Sequence, residues 1–275
     1  MQNNLTISSS DNLNLYIQHQ EATTPKATIV LVHGMYEHSG RYEHVVAAAN
    51  ARGYNMVAYD LRGHGKSDGQ RGHTPSYERL MIDLDFVLRK AKELYPHLPI
   101  ILYGHSFGGN QVLNYIIRRK HDILCTVATG PWIRLAFEPP RFKVALAKMM
   151  HNFFPAYTEK ANIDTTAISR DIEEVKKYTS DPLVHDMISA RMYLQAFEAG
   201  NYIMERYDLF TIPVLLMHGD QDKLTSHQAS IDLSQMKKSQ FTMRIWNGLF
   251  HEIHNEPEQK EVIQFMLDWL DRQIS

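Results

Sequence analysis

A serine between two glycines is the feature of this sequence with the clearest chemical potential. Ser106 lies in the stretch YGHSFGGN, after an apolar run that predicts a strand and before a run that predicts a helix. In that context the G-x-S-x-G pattern is typical of a nucleophile elbow, whereas alone it indicates only a tight turn. Gly104 and Gly108 would let the strand and helix approach closely, because a Cβ atom there would clash with the turn. We therefore predict that Ser106 is a nucleophile.

A serine nucleophile needs a base to take its proton and an acid to orient that base. The loop after the run IPVLLMHG carries Asp220 and Asp222, and the loop after FTMRIWNG carries His251 and His254. Both loops leave carboxyl ends of predicted strands, as Ser106 does, and the order serine, acid, histidine fits this arrangement. Spacing alone does not decide between the two acids or between the two histidines. The spare residues would then serve hydrogen bonding in a turn or at a helix start.

Two backbone amides are expected to stabilise the negative charge that develops on a substrate oxygen. Phe107 directly follows Ser106, and Met35 follows His33-Gly34 at the end of the run ATIVLVHG. Amides at these two places are the usual donors of an oxyanion hole beside a nucleophile elbow. Only the backbone of each residue is needed, so the side chains are free to vary.

Strands that alternate with helices surround these residues. Short apolar runs without strict alternation predict strands buried on both faces. This pattern predicts an α/β fold with a mostly parallel central sheet and helices on both faces. Two alternating runs around Asp11-Asn12 add a β-hairpin near the amino terminus. The regular pattern breaks between about Trp132 and Tyr207. We therefore predict a core formed by residues 1–131 and 208–275, with residues 132–207 inserted as a cap, in one overall unit.

The run RFKVALAKMMHNFF in the predicted cap indicates an amphipathic helix. One interpretation is a cap helix that packs on the sheet domain. The other is an apolar wall that binds an acyl chain and contacts a membrane surface, a role that suits flexible methionine side chains. Both can hold at once. The predicted apolar face consists of Phe142, Leu146, Met149, Met150 and Phe153.

Composition and missing motifs narrow the function further. The 275 residues carry a formal net charge of -2, so no basic field suggests nucleic acid as a partner. The single cysteine, Cys125, excludes an intrachain disulfide. We find no H-E-x-x-H, no cysteine–histidine cluster and no G-x-G-x-x-G after the first strand, so we expect no metal and no cofactor. The first residues resemble no signal peptide, and no apolar run is long enough to cross a membrane. We expect a cytoplasmic protein, peripheral to membranes if the cap contacts them, and the sequence does not indicate an oligomeric state.

Six motifs occur along the chain: HGMYEHSGRY, YDLRGHGKSDG, GHSFGG, TSDPL, HGDQDKLT and GLFHEIHNE. Together they resemble the monoacylglycerol lipase branch of the α/β-hydrolases, also described as lysophospholipase-like or serine aminopeptidase S33-like. The resemblance runs from about Ala27 to near the carboxyl terminus, and it implies the α/β-hydrolase fold. By the family's pattern the acid is Asp222, the histidine is His251, and the oxyanion amides belong to Met35 and Phe107. The cap residues that hold the glycerol headgroup in the family do not map onto this sequence.

The resemblance implies a serine hydrolase that cleaves carboxylic esters through an acyl-enzyme. The first expected substrate is a monoacylglycerol, which would give a fatty acid and glycerol. A lysophospholipid or a short-chain ester is the nearest alternative, and a peptidase would need a site for a free amino terminus that the sequence does not show. A rival from another class is a non-catalytic receptor for a small apolar ligand on the same fold. The complete set of serine, aspartate and histidine argues against that rival.

Overall fold

The computed structural model describes residues 2–274, without the side chains of Gln2, Arg141 and Lys143. The outer ends of the predicted core ranges, Met1 and Ser275, lie outside the described residues. The strands are β1 (Gln2–Ser8), β2 (Asn14–Gln20), β3 (Ala27–Val32), β4 (Tyr54–Tyr59), β5 (Ile100–His105), β6 (Ile123–Thr129), β7 (Thr158–Lys160), β8 (Met187–Ser189), β9 (Val214–Gly219) and β10 (Phe241–Trp246). The helices are α1 (Glu43–Ala51), α2 (Tyr77–Leu94), α3 (Phe107–Arg118), α4 (Arg141–Phe153), α5 (Ile172–Ser180), α6 (Ala190–Glu205), α7 (His227–Met236) and α8 (Gln259–Ile274).

Eight of the strands form one sheet in the order β1-β2-β4-β3-β5-β6-β9-β10. The β1–β2 and β2–β4 pairs are antiparallel, so the predicted hairpin is present, and the remaining neighbours in this sheet pair in parallel. After β3 the chain forms β4 on one side of β3 and then β5 on the other side. The loops that follow β3 and β5 therefore diverge at a switch point, where open α/β sheets bind their ligands.

Both faces of the sheet are covered, which explains why its central strands are apolar without alternation. In β3, Val30 and Val32 join a buried cluster with α2 and α3, whereas Ile29 and Leu31 join a second cluster with α1 and α8. The predicted α/β fold, with a mostly parallel sheet between two layers of helices, is confirmed. Each parallel strand is thus held from two sides, and the loops at its carboxyl end start from fixed positions.

Residues 132–207, for which we keep the term cap, contain α4, β7, α5, β8 and α6. Strands β7 and β8 pair with each other as a separate two-stranded sheet. The cap contacts loops at the carboxyl ends of β3 and β4: the His185 amide donates to the Tyr36 carbonyl at 3.0 Å, and the Ser189 amide donates to the Gly72 carbonyl at 2.9 Å. These two hydrogen bonds join residues 132–207 to loops at the end of the sheet where Ser106 lies.

Candidate active site

Ser106 occupies a strained turn between β5 and α3. Its backbone has φ 53° and ψ -115°, in a region that residues with a side chain rarely adopt and that costs about 1–3 kcal/mol. Surrounding hydrogen bonds hold the turn in place. The Ser106 amide donates to the Thr129 carbonyl at 2.9 Å, and the Trp132 amide donates to the Ser106 carbonyl at 2.9 Å. Strand β6 and the first residue of the cap therefore fix the serine from its other side.

The two glycines that flank the serine are required by close backbone approach. A Cβ atom on Gly104 would lie 2.3 Å from the Gly108 carbonyl oxygen. A Cβ atom on Gly108 would lie 2.0 Å from the Val32 carbonyl oxygen, so α3 starts directly against the end of β3. The spacing of the G-x-S-x-G motif thus follows from the contacts between β5, α3 and β3.

Asp222 follows β9 and is buried beside His251. Its Oδ1 accepts hydrogen bonds from the amides of Leu224 (2.7 Å) and Thr225 (3.0 Å), and its Oδ2 lies 2.6 Å from His251 Nδ1. Burial by itself raises the pKa of Asp222. The charge of His251 and the hydrogen bonds to the carboxylate outweigh burial and hold that pKa well below its usual range. Asp222 is therefore ionised at neutral pH.

His251 lies in the loop after β10, next to the serine turn. Its ring centroid is 4.7 Å from that of His105, the residue before Ser106, and its Nδ1 lies 3.3 Å from the Cβ position of Gly130, which follows Thr129. Burial lowers the pKa of His251, but the charge of Asp222 more than offsets this and raises it. Because Nδ1 donates to Asp222, Nε2 of the neutral ring is free to accept a proton.

The other acid and the other histidine occupy different places. Asp220 Oδ1 accepts a hydrogen bond from the Gly248 amide at 2.7 Å, which joins the turns after β9 and β10. His254 is buried, stacks on Tyr42 at 4.7 Å between ring centroids, and has a pKa held well below its usual range by burial. The structure therefore brings Asp222 and His251 together. Asp220 instead stabilises a turn, and His254 packs in the interior.

The two segments predicted to supply oxyanion donors border Ser106. Phe107 begins α3, whose amino-terminal end favours negative charge. On the other segment, a Cβ atom on Gly34 would lie 3.2 Å from Ser106 Cβ, and Met35 follows directly. Glu37 Oε1 accepts from the Gly34 amide at 2.7 Å, and Tyr36 adopts φ 73°. A buried carboxylate and a strained residue thus fix the loop that contains Met35.

Three ion pairs that the sequence analysis missed stabilise the loop containing His251; the two made by Arg41 are buried, and the one made by Arg170 is partly exposed. Arg41 donates to Glu37 (2.8 Å) and to both oxygens of Glu252 (2.6 and 2.7 Å), so it joins the Met35 loop to the residue after His251. Glu256 accepts from the Phe250 amide at 2.7 Å and from Arg170 of the cap at 2.9 Å. The only sequence signal was the acid–base spacing of Glu37 and Arg41 within EHSGR.

The predicted apolar face of the cap helix lies on α4 and is open to solvent. Phe142 and Phe153 are 70% and 72% exposed, Leu146 and Met149 are each 50% exposed, and Met150 is partly buried. The interpretation that this face packs on the sheet domain is wrong for the four exposed side chains. The helix lies instead against α6 of the cap.

Metal sites and membrane-spanning helices are both absent from residues 2–274. Within this range, no group of three or more histidine, cysteine, aspartate and glutamate side chains is arranged to hold a metal ion. No helix in the same range is both long and apolar enough to cross a membrane.

Several known proteins are similar to this chain in sequence and in fold. A family described as "Serine aminopeptidase, S33" matches residues 23–258. An uncharacterized abhydrolase domain-containing protein of Dictyostelium discoideum is 34% identical over 278 residues, which cover 98% of this chain but only 29% of that protein. The monoacylglycerol lipase of Mycolicibacterium smegmatis is 34% identical over 250 residues, which cover 90% of this chain and 89% of that protein.

A solved structure is similar to this chain in fold as well as in sequence. The crystal structure of Paleococcus ferrophilus monoacylglycerol lipase matches with a TM-score of 0.86 and 33% identity, over 94% of this chain and 99% of that one. The chain therefore belongs to the S33 family of α/β-hydrolases, and it is an enzyme of the serine hydrolase class. The resemblance drawn from the motifs is confirmed.

Substitution of Gly108 tests the close approach at the serine turn. In Gly108→Ala the new methyl group would meet two backbone carbonyls of β3 and its loop at 2.0 and 2.5 Å, so the turn must move. We expect kcat/KM for a soluble nitrophenyl ester to fall about 100-fold or more, because a shift of about 1 Å misplaces the nucleophile. The matched control is Gly109→Ala, whose methyl group would meet Pro131 at 3.0 Å and should cost far less. Equal activity of the two variants would contradict this account of the turn.

Proposed function

We propose that this S33-family hydrolase is a monoacylglycerol lipase that uses Ser106, His251 and Asp222 as its catalytic triad. The observation that carries the proposal is the 2.6 Å hydrogen bond between His251 Nδ1 and the buried carboxylate of Asp222, beside the strained turn of Ser106. Neutral imidazole oriented in this way has a free Nε2 for the serine proton. The similarity to two proteins named monoacylglycerol lipase supports the choice of substrate.

The proposed reaction has two halves. In the first, Ser106 Oγ attacks the ester carbonyl while His251 takes its proton, and the amides of Met35 and Phe107 stabilise the oxyanion. The protonated His251 then gives its proton to the leaving glycerol oxygen, which produces an acyl-enzyme. In the second half, His251 removes a proton from water, the resulting hydroxide attacks the acyl carbonyl, and Ser106 regains its proton as the fatty acid leaves. Asp222 stays ionised throughout and stabilises the imidazolium.

A panel of esters tests both the mechanism and the substrate. Wild type and Ser106→Ala would be assayed for acid release from monoacylglycerols of several chain lengths, lysophosphatidylcholine and short-chain nitrophenyl esters. We expect wild type to prefer a monoacylglycerol, and Ser106→Ala to lose about 1,000-fold or more of kcat, since the attacking oxygen is gone. Circular dichroism of both proteins would control for folding.

Other outcomes of the panel would contradict the proposal in distinct ways. Serine-dependent activity on short esters alone would retain the triad but replace the lipase by a general esterase, and preference for lysophosphatidylcholine would make it a lysophospholipase. A folded wild type without activity on any ester would favour a receptor on the hydrolase fold. Activity that survives in Ser106→Ala would exclude the proposed nucleophile.

The exposed face of α4 supports a further part of the proposal, namely contact with membranes. Phe142, Leu146, Met149 and Phe153 project apolar groups from the cap into solvent, and neighbouring Phe154 and Tyr157 are 63% and 59% exposed. Monomeric soluble proteins rarely expose apolar groups so densely unless the surface has a partner. Lipid substrates with a single acyl chain reside in membranes, so we propose a cytoplasmic enzyme that approaches them with α4 and guides the acyl chain along this face.

A variant with three polar substitutions on α4 tests membrane contact. Phe142→Ser, Leu146→Ser and Phe153→Ser, combined, should lower the hydrolysis of a long-chain monoacylglycerol in phosphatidylcholine vesicles by about fivefold or more, since the apolar area available to the bilayer is lost. Activity on soluble nitrophenyl butyrate should fall far less. The control combines Leu209→Ser and Met236→Ser, two exposed positions outside the cap. Equal losses on vesicles in both variants would contradict the role of α4.

A further inference from the structure

A second histidine contacts the carboxylate of Asp222. His218 lies at the carboxyl end of β9, four residues before Asp222, and its side chain is fully buried. His218 Nε2 is 3.0 Å from Asp222 Oδ2, the same oxygen that lies 2.6 Å from His251 Nδ1. Two imidazole rings therefore share one carboxylate oxygen. The proposed reaction uses only one of them.

Asp222 and Ser230 together select the tautomer of His218, because an ionised carboxylate can only accept and therefore requires the proton on Nε2. Ser230 is a fully buried residue of α7, and its Oγ lies 2.9 Å from His218 Nδ1. When the serine hydroxyl donates to Nδ1, the neutral ring carries its proton on Nε2, which then points at Asp222. The hydroxyl of Thr225 also donates to Asp222 Oδ2, at 2.8 Å. His218 thus donates from Nε2 to the carboxylate, and Ser230 of α7 supports this tautomer by donating to Nδ1.

A donor on this oxygen has two physical effects. It stabilises the ionised form of Asp222, because a hydrogen bond to a buried carboxylate spreads its charge. It also weakens the hydrogen bond from His251 Nδ1 to Asp222, because both rings donate to the lone pairs of the same oxygen, Oδ2. Without the His218 donor, more of the negative charge of Asp222 acts on His251. The pKa of His251 should therefore rise further above its usual value.

We propose that His218, oriented by Ser230, is a positioning residue that sets the pH range over which His251 can act as a base. The inference rests on the proposed function, because it requires Asp222 and His251 to work together with Ser106. His218 is not a catalytic residue in this account, since it contacts only the acid and touches neither the nucleophile nor the substrate.

Other groups around His251 contribute to its titration and stay unchanged in the experiment below. The acids are Asp222, Glu252 and Glu37, all of which favour the charged form of His251. Two more imidazoles lie close, His105 on β5 and His254 in the loop after β10, and burial together with the charge of His251 lowers the pKa of each. Around His218 itself stand Asp222, Thr225, Ser230 and the ring of His227, at 6.4 Å between centroids.

The experiment compares two serines of α7. Ser230 bonds to His218, whereas Ser234, one turn further along and also buried, donates to the Ile231 carbonyl at 2.7 Å and has no contact with His218. The variants are Ser230→Ala, the control Ser234→Ala, His218→Leu and His218→Gln. The measurement is kcat/KM for an uncharged short nitrophenyl ester between pH 5 and 9, because this profile reports the titration of the free enzyme.

We expect the acid limb of the wild-type profile to lie at higher pH than an unperturbed imidazole would give, since the charge of Asp222 outweighs burial and raises the pKa of His251. In His218→Leu the limb should move to higher pH by about half a unit or more, as removal of a charge-stabilising donor shifts a coupled pair. Ser230→Ala should move it in the same direction by less, because the other tautomer becomes accessible. His218→Gln, whose amide can still donate to Asp222, should return the limb toward the wild-type position, and Ser234→Ala should leave it in place.

The outcomes separate this inference from the proposed function. A wild type that loses its activity in Ser106→Ala, but whose acid limb stays at the same pH in both His218→Leu and Ser230→Ala, would overturn the inference alone. A limb that moves equally in Ser230→Ala and Ser234→Ala would also overturn it, since a general loosening of α7 would then be the cause. If His218→Leu does not fold, Ser230→Ala decides the question. A folded wild type without ester hydrolysis would overturn both the inference and the function on which it rests.

Discussion

The carboxylate of Asp222 is the constraint on which the site depends. An ionised carboxylate in the interior costs several kcal/mol unless hydrogen bonds replace the lost water. Two backbone amides of the following turn, the Thr225 hydroxyl and two histidines provide those bonds. The turn after β9, the start of α7 and the loop after β10 therefore adopt their positions around one charge. The same bonds that satisfy this charge orient the imidazole of His251.

The sheet provides the second half of the arrangement, which is a fixed backbone for Ser106. The serine turn is strained, and it persists because β6, β3 and the cap enclose it on several sides. The loop with Met35 is fixed by a carboxylate of its own, Glu37, which Arg41 connects to the loop after His251. Buried ions thus join the segments on either side of Ser106, so that loops distant in sequence keep a common geometry.

Local patterns predicted the fold well. Apolar runs bounded by glycine located strands of the parallel sheet: ATIVLVHG contains β3, IPVLLMHG contains β9, and FTMRIWNG contains β10. The strand–serine–helix context identified the turn of Ser106, because backbone contact dictates both glycines. These features depend on neighbours in sequence, which is why periodicity and turn residues suffice.

The choice among the acids and histidines depended on contacts that spacing does not encode. Asp220 and Asp222 are two positions apart in the same turn. Asp220 nevertheless accepts a hydrogen bond from the Gly248 amide, whereas Asp222 accepts one from His251. The resemblance to a family pointed to Asp222, whereas the residues alone left both open. His218 could not be predicted, because its role depends on simultaneous contacts with Ser230 and Asp222. Arg41 could not be predicted either, because its partner Glu252 lies far along the chain. Long-range pairing of buried polar groups was the part that the sequence did not reveal.

The most direct test of the central claim is intact-mass and peptide-mass spectrometry of the protein after reaction with a fluorophosphonate. Such a reagent phosphonylates a serine, with loss of fluoride, only when a neighbouring base accepts the serine proton and donors stabilise the developing oxyanion. We predict one adduct per chain, on the peptide that contains Ser106, with a labelling rate that rises with pH as His251 loses its proton. A folded protein without an adduct, or with its adduct on another residue, would contradict the account.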